Sequence, residues 1–438
     1  MMLANRRAVP LVGLLSGHAV SLTGNMLTLI ALPLYVLDQT GSAALTGVAG
    51  FAATLPVVIG GSLGGVLVDR VGYRRSSVIA DLVSAVTMAA VPLLDRTFGV
   101  PLWAVLGLVF LSGLLDTPGQ TARYAVLPDA ADAAGLSLER AVGLFEATER
   151  TARLVGAPVA GLLVAVLGPL TVLGVDAATF GVSASLIAGL VPRHLPSSAT
   201  TGHEGRQADT PSGYWNQLGE GLRYLVREPL LRAVVVLVVV TNMFDSAKST
   251  VILPVFAQRE LGGAVAFGLL VGAGGGGALI GSLLFGAVGH RLPRRLTFVT
   301  AFAFAGAPPY FALAAGLPLT GLLAVTVLAG FSAGAINPII GIIKLESVPP
   351  GMRARVFGLI GAGCWAAMPL GAVLAGLAVQ HLGLTTTLVA IGSAYLLVTL
   401  APLAGGAWRD MDHPSTAHPD QRPATSAARP PGSTTQES

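Results

Sequence analysis

The chain has 438 residues, of which 53% are hydrophobic and only 11% are charged, and its formal net charge is +4. Because a soluble domain carries about a quarter charged residues, this composition excludes a soluble globular protein and favours a polytopic helical membrane protein. So small a net charge gives no reason to expect nucleic-acid binding, and the absence of a GxxxxGK[ST] pattern argues against direct use of ATP.

Long apolar segments recur along the chain, each of a length that crosses a bilayer as a helix. The first follows Asn5-Arg6-Arg7 and is too long for the apolar region of a cleaved signal peptide. The predicted fold is therefore all-α and integral to the membrane, with 12 transmembrane helices arranged as two six-helix bundles. The predicted spans are 11–37, 43–68, 78–94, 102–125, 147–168, 170–192, 231–257, 264–289, 296–314, 317–343, 356–381 and 384–406.

The distribution of basic residues predicts the side of the membrane on which each loop lies. Of the 26 lysines and arginines, the six predicted outer loops contain only Arg96 and Arg259. Under the positive-inside rule this asymmetry places both termini in the cytoplasm. The sequence thus predicts a multi-pass protein of the cytoplasmic membrane.

The loop between spans 2 and 3 concentrates charge in an otherwise apolar region, where the chain reads GVLVDRVGYRR over residues 65–75. Gly65 allows a neighbouring backbone to approach closely, and Asp69 can face the positive N-terminus of another helix. The three arginines of this loop can pair with acids and hold it at the level of the lipid headgroups. Since topology alone requires neither Gly65 nor Asp69, the loop is a candidate functional motif.

Span 4 contains an acid, Asp116, two residues before Pro118, which frees a carbonyl group and indicates a bend. Asp116 is a candidate for proton coupling or substrate binding, the alternative being an ion pair with Arg123 or Arg153. In span 1, Asn25 is a candidate hydrogen-bonding residue for a substrate, although an amide cannot carry a proton.

Two further acids, Asp81 and Asp176, are predicted to lie near span ends, where solvation of a charge is cheaper. We therefore assign them structural roles.

Span 7 carries an acid and a base, Asp245 and Lys248, separated by one helical turn near its middle. A charge at the centre of a bilayer costs about 2.5–3.5 kcal/mol even on the lenient insertion scales, so each charge requires a partner or a function. Three interpretations stay open: Asp245 takes up and releases the driving proton, the two residues form a permanent ion pair, or the pair contacts the substrate.

Composition also predicts how the chain is divided. Residues 1–192 form the N-terminal bundle, and 193–228 form a cytoplasmic linker whose second part is a short amphipathic helix at the membrane surface. Residues 229–407 form the C-terminal bundle, and 408–438 form a disordered cytoplasmic tail that is rich in Pro, Ser and Thr.

The two bundles are related by an internal repeat. The stretch GAVGHRLPRR (286–295) follows the loop at 65–75 at an offset of 221 residues, and the same offset pairs Gly47 with Gly268. Farther along, an offset of 215 residues pairs Gly161 with Gly376. A constant register across several spans predicts two similar bundles related by a pseudo-two-fold axis along the membrane normal. Such bundles enclose a cavity at the bilayer midplane, which can open to each side in turn.

These features resemble the major facilitator superfamily. The resemblance depends on the six-plus-six spans and on the loop motif. The bacterial drug and macrolide efflux branch is similar at VDAATF (175–180), EGLRYL (220–225) and PPGMRARV (349–356). The resemblance to the superfamily implies that the loop at 65–75 latches the two halves together on the cytoplasmic side and favours the outward-open state. The implied latch residues are Gly65, Asp69, Arg70, Gly72, Arg74 and Arg75.

The second copy of the loop, represented by Gly286, Arg291, Arg294 and Arg295, departs from the motif. His290 stands where Asp69 would, so a second latch is not expected.

Span 5 contains GAPVAG at residues 156–161, which resembles the Gly/Pro-rich motif of antiporters in this superfamily. Its members Gly156, Pro158 and Gly161 are predicted to give a bent, thin and closely packed helix that seals a pathway on one side. This resemblance favours export over import.

The sequence as a whole predicts a secondary active transporter and not an enzyme. We expect it to work by alternating access and to export a small hydrophobic compound, such as a drug, antibiotic or secondary metabolite, in exchange for protons. The alternatives are a proton symporter that imports a small metabolite and a non-transporting membrane sensor with the same fold. No cofactor or metal is expected, since the proton gradient supplies the energy. The expected partners are the lipid bilayer, the small molecule and protons, and the chain is expected to be a monomer.

Overall fold

The computed structural model describes residues 2–192, 214–349 and 352–411, and over these residues the chain is helical. The first six helices are α1 (Met2–Thr40), α2 (Ala43–Val71), α3 (Tyr73–Phe98), α4 (Leu102–Ala134), α5 (Leu138–Leu167) and α6 (Pro169–Leu190). The later helices are α7 (Tyr214–Arg227), α8 (Pro229–Ala247), α9 (Leu253–Glu260), α10 (Ala264–Val288), α11 (Arg294–Ala314), α12 (Leu319–Ala333), α13 (Ile336–Ser347), α14 (Arg353–Ala366), α15 (Met368–Leu382) and α16 (Leu384–Leu400).

Twelve stretches of the described chain are long and apolar enough to cross a membrane, which confirms the predicted number of spans. Three of the spans are composite. Span 7 (Pro229–Glu260) joins α8 to α9 through a π-helical turn, span 10 (Leu319–Ser347) joins α12 to α13, and span 11 (Arg355–Leu382) joins α14 to α15. The protein is therefore a multi-pass membrane protein in which several spans are interrupted.

Several helices extend beyond their predicted spans on the side that carries the chain ends, which we call the inner face. Helix α3 begins at Tyr73, α4 continues to Ala134 and α5 begins at Leu138. Hydropathy detects only the part of a helix that lies in hydrocarbon, whereas these helices continue with charged residues. The predicted spans were too short for this reason.

Each half of the chain forms a bundle of six spans. In the N-terminal half α1 packs against α5 and α6, while α3 packs against α4 and α6. In the C-terminal half α11 packs against α12 and α16, while α15 packs against α8. The two halves meet mainly through two helix pairs, α2 with α15 and α5 with α10.

Glycines lie at the closest contacts of both interfaces, and they occupy equivalent positions in the two halves. A Cβ atom on Gly47 would lie 2.6 Å from the carbonyl oxygen of Ala372 and 3.1 Å from Cα of Gly376. A Cβ atom on Gly161 would lie 2.5 Å from the carbonyl oxygen of Ala264 and 3.2 Å from Cα of Gly268. The repeat pairs Gly47 with Gly268 and Gly161 with Gly376, so these two contacts are equivalent under the pseudo-two-fold axis.

Both glycine contacts lie toward the outer face, opposite the chain ends, where further contacts join the halves. The Gln258 side chain donates to Asp38 Oδ1 at 3.0 Å, and Leu37 and Ala43 of the first half are buried in one cluster with Val379 of the second. The halves are therefore closed against each other at the outer face.

The amphipathic helix α7 is present, but one of its faces packs on the protein. Leu225 is buried against Val356 and Ile360, and the Tyr224 hydroxyl donates to the carbonyl oxygen of Ser347 at 2.5 Å. The side chains of residues 214–218 lie outside the described residues. The helix thus covers the inner ends of spans 10 and 11.

The predicted start of the disordered tail, residue 408, is too early. A short 3-10 segment, Gly406–Met411, follows span 12, and its Trp408 and Met411 are buried against Phe298 and its neighbours. The apolar ring of Trp408 explains this packing. The remainder of the predicted disordered tail, 412–438, lies outside the described residues, as does the linker segment 193–213.

Candidate functional site

Two cavities lie inward of the outer closure, each lined mainly by one half of the protein. The larger, about 630 Å³, is lined by residues of the second half, and we call it the C-lobe. The smaller, about 310 Å³, is lined mainly by residues of the first half, and we call it the N-lobe. Trp365 lines both cavities, so the lobes are neighbouring parts of one central vestibule. The C-lobe extends to Lys344 in the last turn of α13, close to the inner face.

The acid and base of span 7 form an ion pair in the C-lobe. Lys248 Nζ lies 2.8 Å from Asp245 Oδ1, and the Tyr395 hydroxyl donates to Asp245 Oδ2 at 3.2 Å. Lys248 Nζ also lies 5.8 Å from the centre of the Tyr310 ring. A salt bridge, a phenol and an aromatic face together stabilise both charges within the membrane. The predicted contact between the two residues is present, whereas its functional role stays a prediction.

The π-helical turn Lys248–Ile252 begins at Lys248, the basic member of the ion pair. Such turns occur preferentially at functional sites, because the extra residue rotates the following side chains relative to the preceding helix. The Tyr310 hydroxyl donates to the carbonyl oxygen of Phe244 at 2.6 Å, and Asn242 donates to the carbonyl oxygen of Cys364 at 2.9 Å. Sequence reasoning missed Tyr310 and Tyr395, since nothing in their own segments marks them as partners of span 7.

The N-lobe adjoins a buried polar network centred on Arg123, which is fully buried. Its guanidinium lies 2.9 Å from Asp81 Oδ1 and 3.4 Å from Asp116 Oδ1, and it donates to the hydroxyl of Ser21 at 3.3 Å. Asp81 Oδ2 also accepts a hydrogen bond from Ser183 at 2.7 Å. One cation therefore holds two carboxylates and joins α1, α3, α4 and α6.

Asp116 makes three contacts in this network. Besides Arg123, it accepts hydrogen bonds from Asn25 at 2.9 Å and from Gln120 at 2.7 Å, both at Oδ2. The structure thus contains the ion pair between Asp116 and Arg123, which the sequence analysis gave as one alternative. Asn25 lines the N-lobe, but its amide is committed to Asp116. Asp116 and Asn25 stay candidates for contact with a substrate.

The expected solvation of Asp81 and Asp176 is wrong. Asp81 is 0% exposed and Asp176 is 1% exposed, since both face neighbouring helices of the bundle and not the ends of their spans. Asp176 Oδ2 accepts a hydrogen bond from Thr28 at 2.5 Å, and Oδ1 accepts one from Thr179 at 3.2 Å. Gly24 makes this approach possible, because a side chain there would overlap Asp176 and Thr179.

The described part of the loop motif contacts its own half. Gly72 has a φ of 89°, a left-handed conformation that favours glycine, and it separates α2 from α3. Arg74 donates through Nε to the carbonyl oxygen of Val191 at 2.6 Å and through Nη2 to that of Ala188, at the end of α6. Arg75 is exposed. The side chains of Asp69 and Arg70 and the surroundings of Gly65 lie outside what the structure describes, and the latch stays a prediction.

The second copy of the motif reproduces the contact of Arg74. Arg295 donates through Nε to the carbonyl oxygen of Pro402 at 2.8 Å, at the end of span 12. Arg294 Nη1 lies 2.7 and 2.9 Å from the two oxygens of Glu346. Arg291 Nε donates to His290 at 3.2 Å, and open space surrounds the position of a Cβ on Gly286. In both halves, an arginine at the start of the third span therefore caps the sixth.

Replacing Arg74 with glutamine should lower the stability of the N-terminal bundle by about 1–3 kcal/mol, because the carbonyl groups at the end of α6 lose a charged donor. Thermal unfolding of the purified protein in detergent measures the effect. Arg75→Gln removes the same charge from the adjacent exposed position and should leave the unfolding temperature unchanged. Equal losses in the two variants would show that charge, and not capping, matters at this loop.

The antiporter-like motif lies at an interface between the halves. A Cβ on Gly156 would lie 3.1 Å from the Met26 side chain of α1, while Pro158 fills the space beside Gly272 of α10. Gly161 makes the close contact with Gly268 described above. The predicted close packing of this helix is therefore confirmed, and its role in sealing a pathway stays a prediction.

Comparison with known proteins connects this arrangement to transporters. Residues 14–262 and 235–434 match the family described as the Major Facilitator Superfamily. The chain is 32% identical to the multidrug efflux pump Tap of Mycolicibacterium fortuitum over 415 residues, which cover 94% of this chain and 99% of that protein. It is 24% identical to macrolide efflux protein A of Streptococcus pyogenes, covering 88% and 93% of the two chains.

Solved structures show a similar fold at low sequence identity. The nucleoside transporter NupG superposes with a TM-score of 0.70 at 13% identity, covering 92% of this chain and 98% of that one. A bacterial homologue of the human lysosomal transporter Spinster, solved in an inward-facing and unoccupied conformation, gives a TM-score of 0.67 at 13% identity, covering 93% and 97%.

Proposed function

The chain belongs to the major facilitator superfamily, and from that premise we propose that it exports a small hydrophobic compound across the cytoplasmic membrane in exchange for protons. The observation that carries the proposal is the C-lobe. A cavity of about 630 Å³ is large enough for a drug-sized molecule, and its lining is largely apolar around one ion pair. An apolar wall with few polar groups suits amphiphilic compounds of varied shape.

The transport cycle that we propose is alternating access. The halves are closed at the outer face, and the vestibule extends to Lys344 near the inner face. This arrangement corresponds to an inward-facing state. In the outward-open state the halves must separate at the outer face, where the close contacts Gly47–Gly376 and Gly161–Gly268 join them. Because no side chains interlock at these glycines, the two helix surfaces can part without unlocking side chains.

Gly161→Val tests this step. The added side chain would meet the carbonyl oxygen of Ala264, and overpacking of this kind costs about 1–3 kcal/mol, so the outer closure should weaken and the outward-open population should rise. The measurement is the labelling rate of Leu32→Cys, in a Cys364→Ser background, by a membrane-impermeant maleimide added outside right-side-out vesicles. Leu32 is buried in the cluster that joins the halves.

Gly107→Val is the matched control, since a Cβ at this position of α4 meets no atom within 4 Å. It should leave the labelling rate unchanged. If Gly161→Val labels no faster than the control, the glycine contact is not the outer gate.

The direction of transport is tested with inside-out membrane vesicles and a panel of lipophilic antibiotics that includes erythromycin. The relatives named as efflux proteins and the motif at residues 156–161 support export. We expect accumulation of at least one compound inside vesicles that are acidified within, and loss of this accumulation when nigericin collapses the pH gradient. Proton-driven accumulation in right-side-out vesicles would instead indicate an importing symporter. Binding without flux in proteoliposomes would indicate a sensor.

A further inference from the structure

We propose that Asp176 in span 6 carries the exchanged proton, so that the N-lobe binds the proton and the C-lobe binds the compound. The proposal rests on the proposed function, because it names the proton site of the same exchange. Three observations support it: the pairing of the interior charges, the immediate surroundings of Asp176, and its position on the wall of the N-lobe.

Among the residues that the structure describes, the other acids of the membrane interior lie in ion pairs. Asp81 and Asp116 share Arg123, and Asp245 pairs with Lys248. Asp176 has no cationic side chain within 4 Å among the residues that the structure describes, although it is as buried as Asp81 and more buried than Asp116 or Asp245. A bare carboxylate that is this deeply buried and has no counter-charge is unfavourable, whereas a protonated carboxyl group needs no counter-charge. Asp176 is therefore the interior acid best suited to hold a proton.

The surroundings of Asp176 accommodate both protonation states. Its two oxygens contact the hydroxyl groups of Thr28 and Thr179, at 2.5 and 3.2 Å. The Thr28 hydroxyl donates to a carboxylate and, after rotation, accepts from a carboxylic acid, whereas Thr179, which also donates to the backbone carbonyl oxygen of Asp176 at 2.8 Å, stays a donor in both states. Gly24 holds α1 close enough for these contacts to form without an intervening side chain.

The N-lobe places polar groups in the same cavity as Asp176. Asn25, Asp116 and Gln120 line the same cavity, and Arg153 lies at its rim with 60% of its side chain exposed. The titratable and charged groups in the interior of the helices that surround Asp176 include His18 on α1, Asp81 on α3, Asp116 and Arg123 on α4, and Glu149 and Arg153 on α5.

In the inward-facing state, the proton leaves the carboxyl oxygen of Asp176 for water in the N-lobe and reaches the inner solution. The carboxylate that remains accepts hydrogen bonds from Thr28 and from Thr179, whose hydroxyl is shared with the backbone carbonyl oxygen of Asp176. In the outward-facing state, it takes up one proton from the outer solution, so that each cycle moves one proton inward through this site.

Asp176→Asn separates this role from a structural one. The amide resembles the neutral acid in shape and retains a partner for each threonine, so we expect normal folding and erythromycin exchange without a gradient. Accumulation of erythromycin driven by a pH gradient in proteoliposomes should fall at least about tenfold. Asp176→Glu should retain part of it, and Glu146→Gln, an exposed acid of α5 in the same half, should retain all of it. Full gradient-driven accumulation by Asp176→Asn would overturn the proposal.

A second measurement requires no transport and no ligand. The infrared spectrum of the purified protein in lipid nanodiscs should contain a carbonyl band of a protonated carboxyl group at neutral pH, and this band should be missing in Asp176→Asn. An unchanged band in the variant would overturn the proposal even if the variant proved unstable in flux assays. Failure of the wild-type protein to transport under a pH gradient would count against the proposed function, whereas the infrared result would still decide the protonation of Asp176.

Discussion

Arg123→Gln is expected to lower the free energy of unfolding by about 3–5 kcal/mol. The guanidinium is fully buried and bridges Asp81 and Asp116, which are otherwise two carboxylates in a low-dielectric interior. Removing one partner of a buried ion pair costs about 3–5 kcal/mol, because an uncompensated charge is left behind. The yield of folded protein and its unfolding temperature in detergent should both fall sharply.

A second variant distinguishes charge imbalance from loss of packing. Arg123→Gln combined with Asp81→Asn removes one charge of each sign and leaves Asp116 with its hydrogen bonds from Asn25 and Gln120. This double variant should recover a large part of the lost stability, since charge balance matters more than the bridge itself. An Arg123→Gln protein that unfolds at the wild-type temperature would contradict the assigned role of the network.

The features of this fold that the sequence predicts well are those that act along one helix or through the repeat. Long apolar segments predicted twelve spans because hydrocarbon imposes the same requirement on every crossing helix. The offsets of 221 and 215 residues predicted equivalent halves. The contacts of Gly47 with Gly376 and of Gly161 with Gly268 show that equivalence directly.

Contacts between distant helices are what the sequence alone does not reveal. Arg74 contacts Val191, and Tyr395 contacts Asp245, across more than a hundred residues, so the pattern near either member does not indicate the other. Hydropathy also placed Arg123 close to the end of span 4, whereas α4 continues to Ala134 and holds the guanidinium inside the bundle. Pairing between helices, and not local propensity, therefore decides which charges are free to function.

The candidate site shows the same difference between features set within one helix and contacts between distant helices. The acid–base pair of span 7 was predictable, because a spacing of three residues places both side chains on one face of a helix. The π-helical turn that begins at Lys248 was not, since it depends on how span 7 packs against α2 and α15. The sequence predicts Asp176 near a span end, and only its position between Thr28 and Thr179 reveals an interior acid that has no cation within 4 Å in the described part of the chain.

Asp245→Asn is expected to reduce proton-driven export by about tenfold or more. The replacement leaves Lys248 without the carboxylate that lies 2.8 Å from its ammonium group, in a helix whose centre penalises a lone charge by about 2.5–3.5 kcal/mol. The ammonium would then turn toward water in the C-lobe and disturb the apolar wall. The measurement is erythromycin accumulation in inside-out vesicles under a fixed pH gradient, at matched amounts of folded protein.

The double variant Asp245→Asn, Lys248→Met separates the three interpretations of the pair. If the pair is a permanent counter-charge, the double variant removes both charges together and should recover most of the export, and this is the outcome we expect, because Asp245 is already held by Lys248 and Tyr395. If Asp245 carries the proton, both variants should exchange erythromycin without responding to the gradient. If the pair contacts the substrate, both should respond to the gradient but require a higher erythromycin concentration for half-maximal transport.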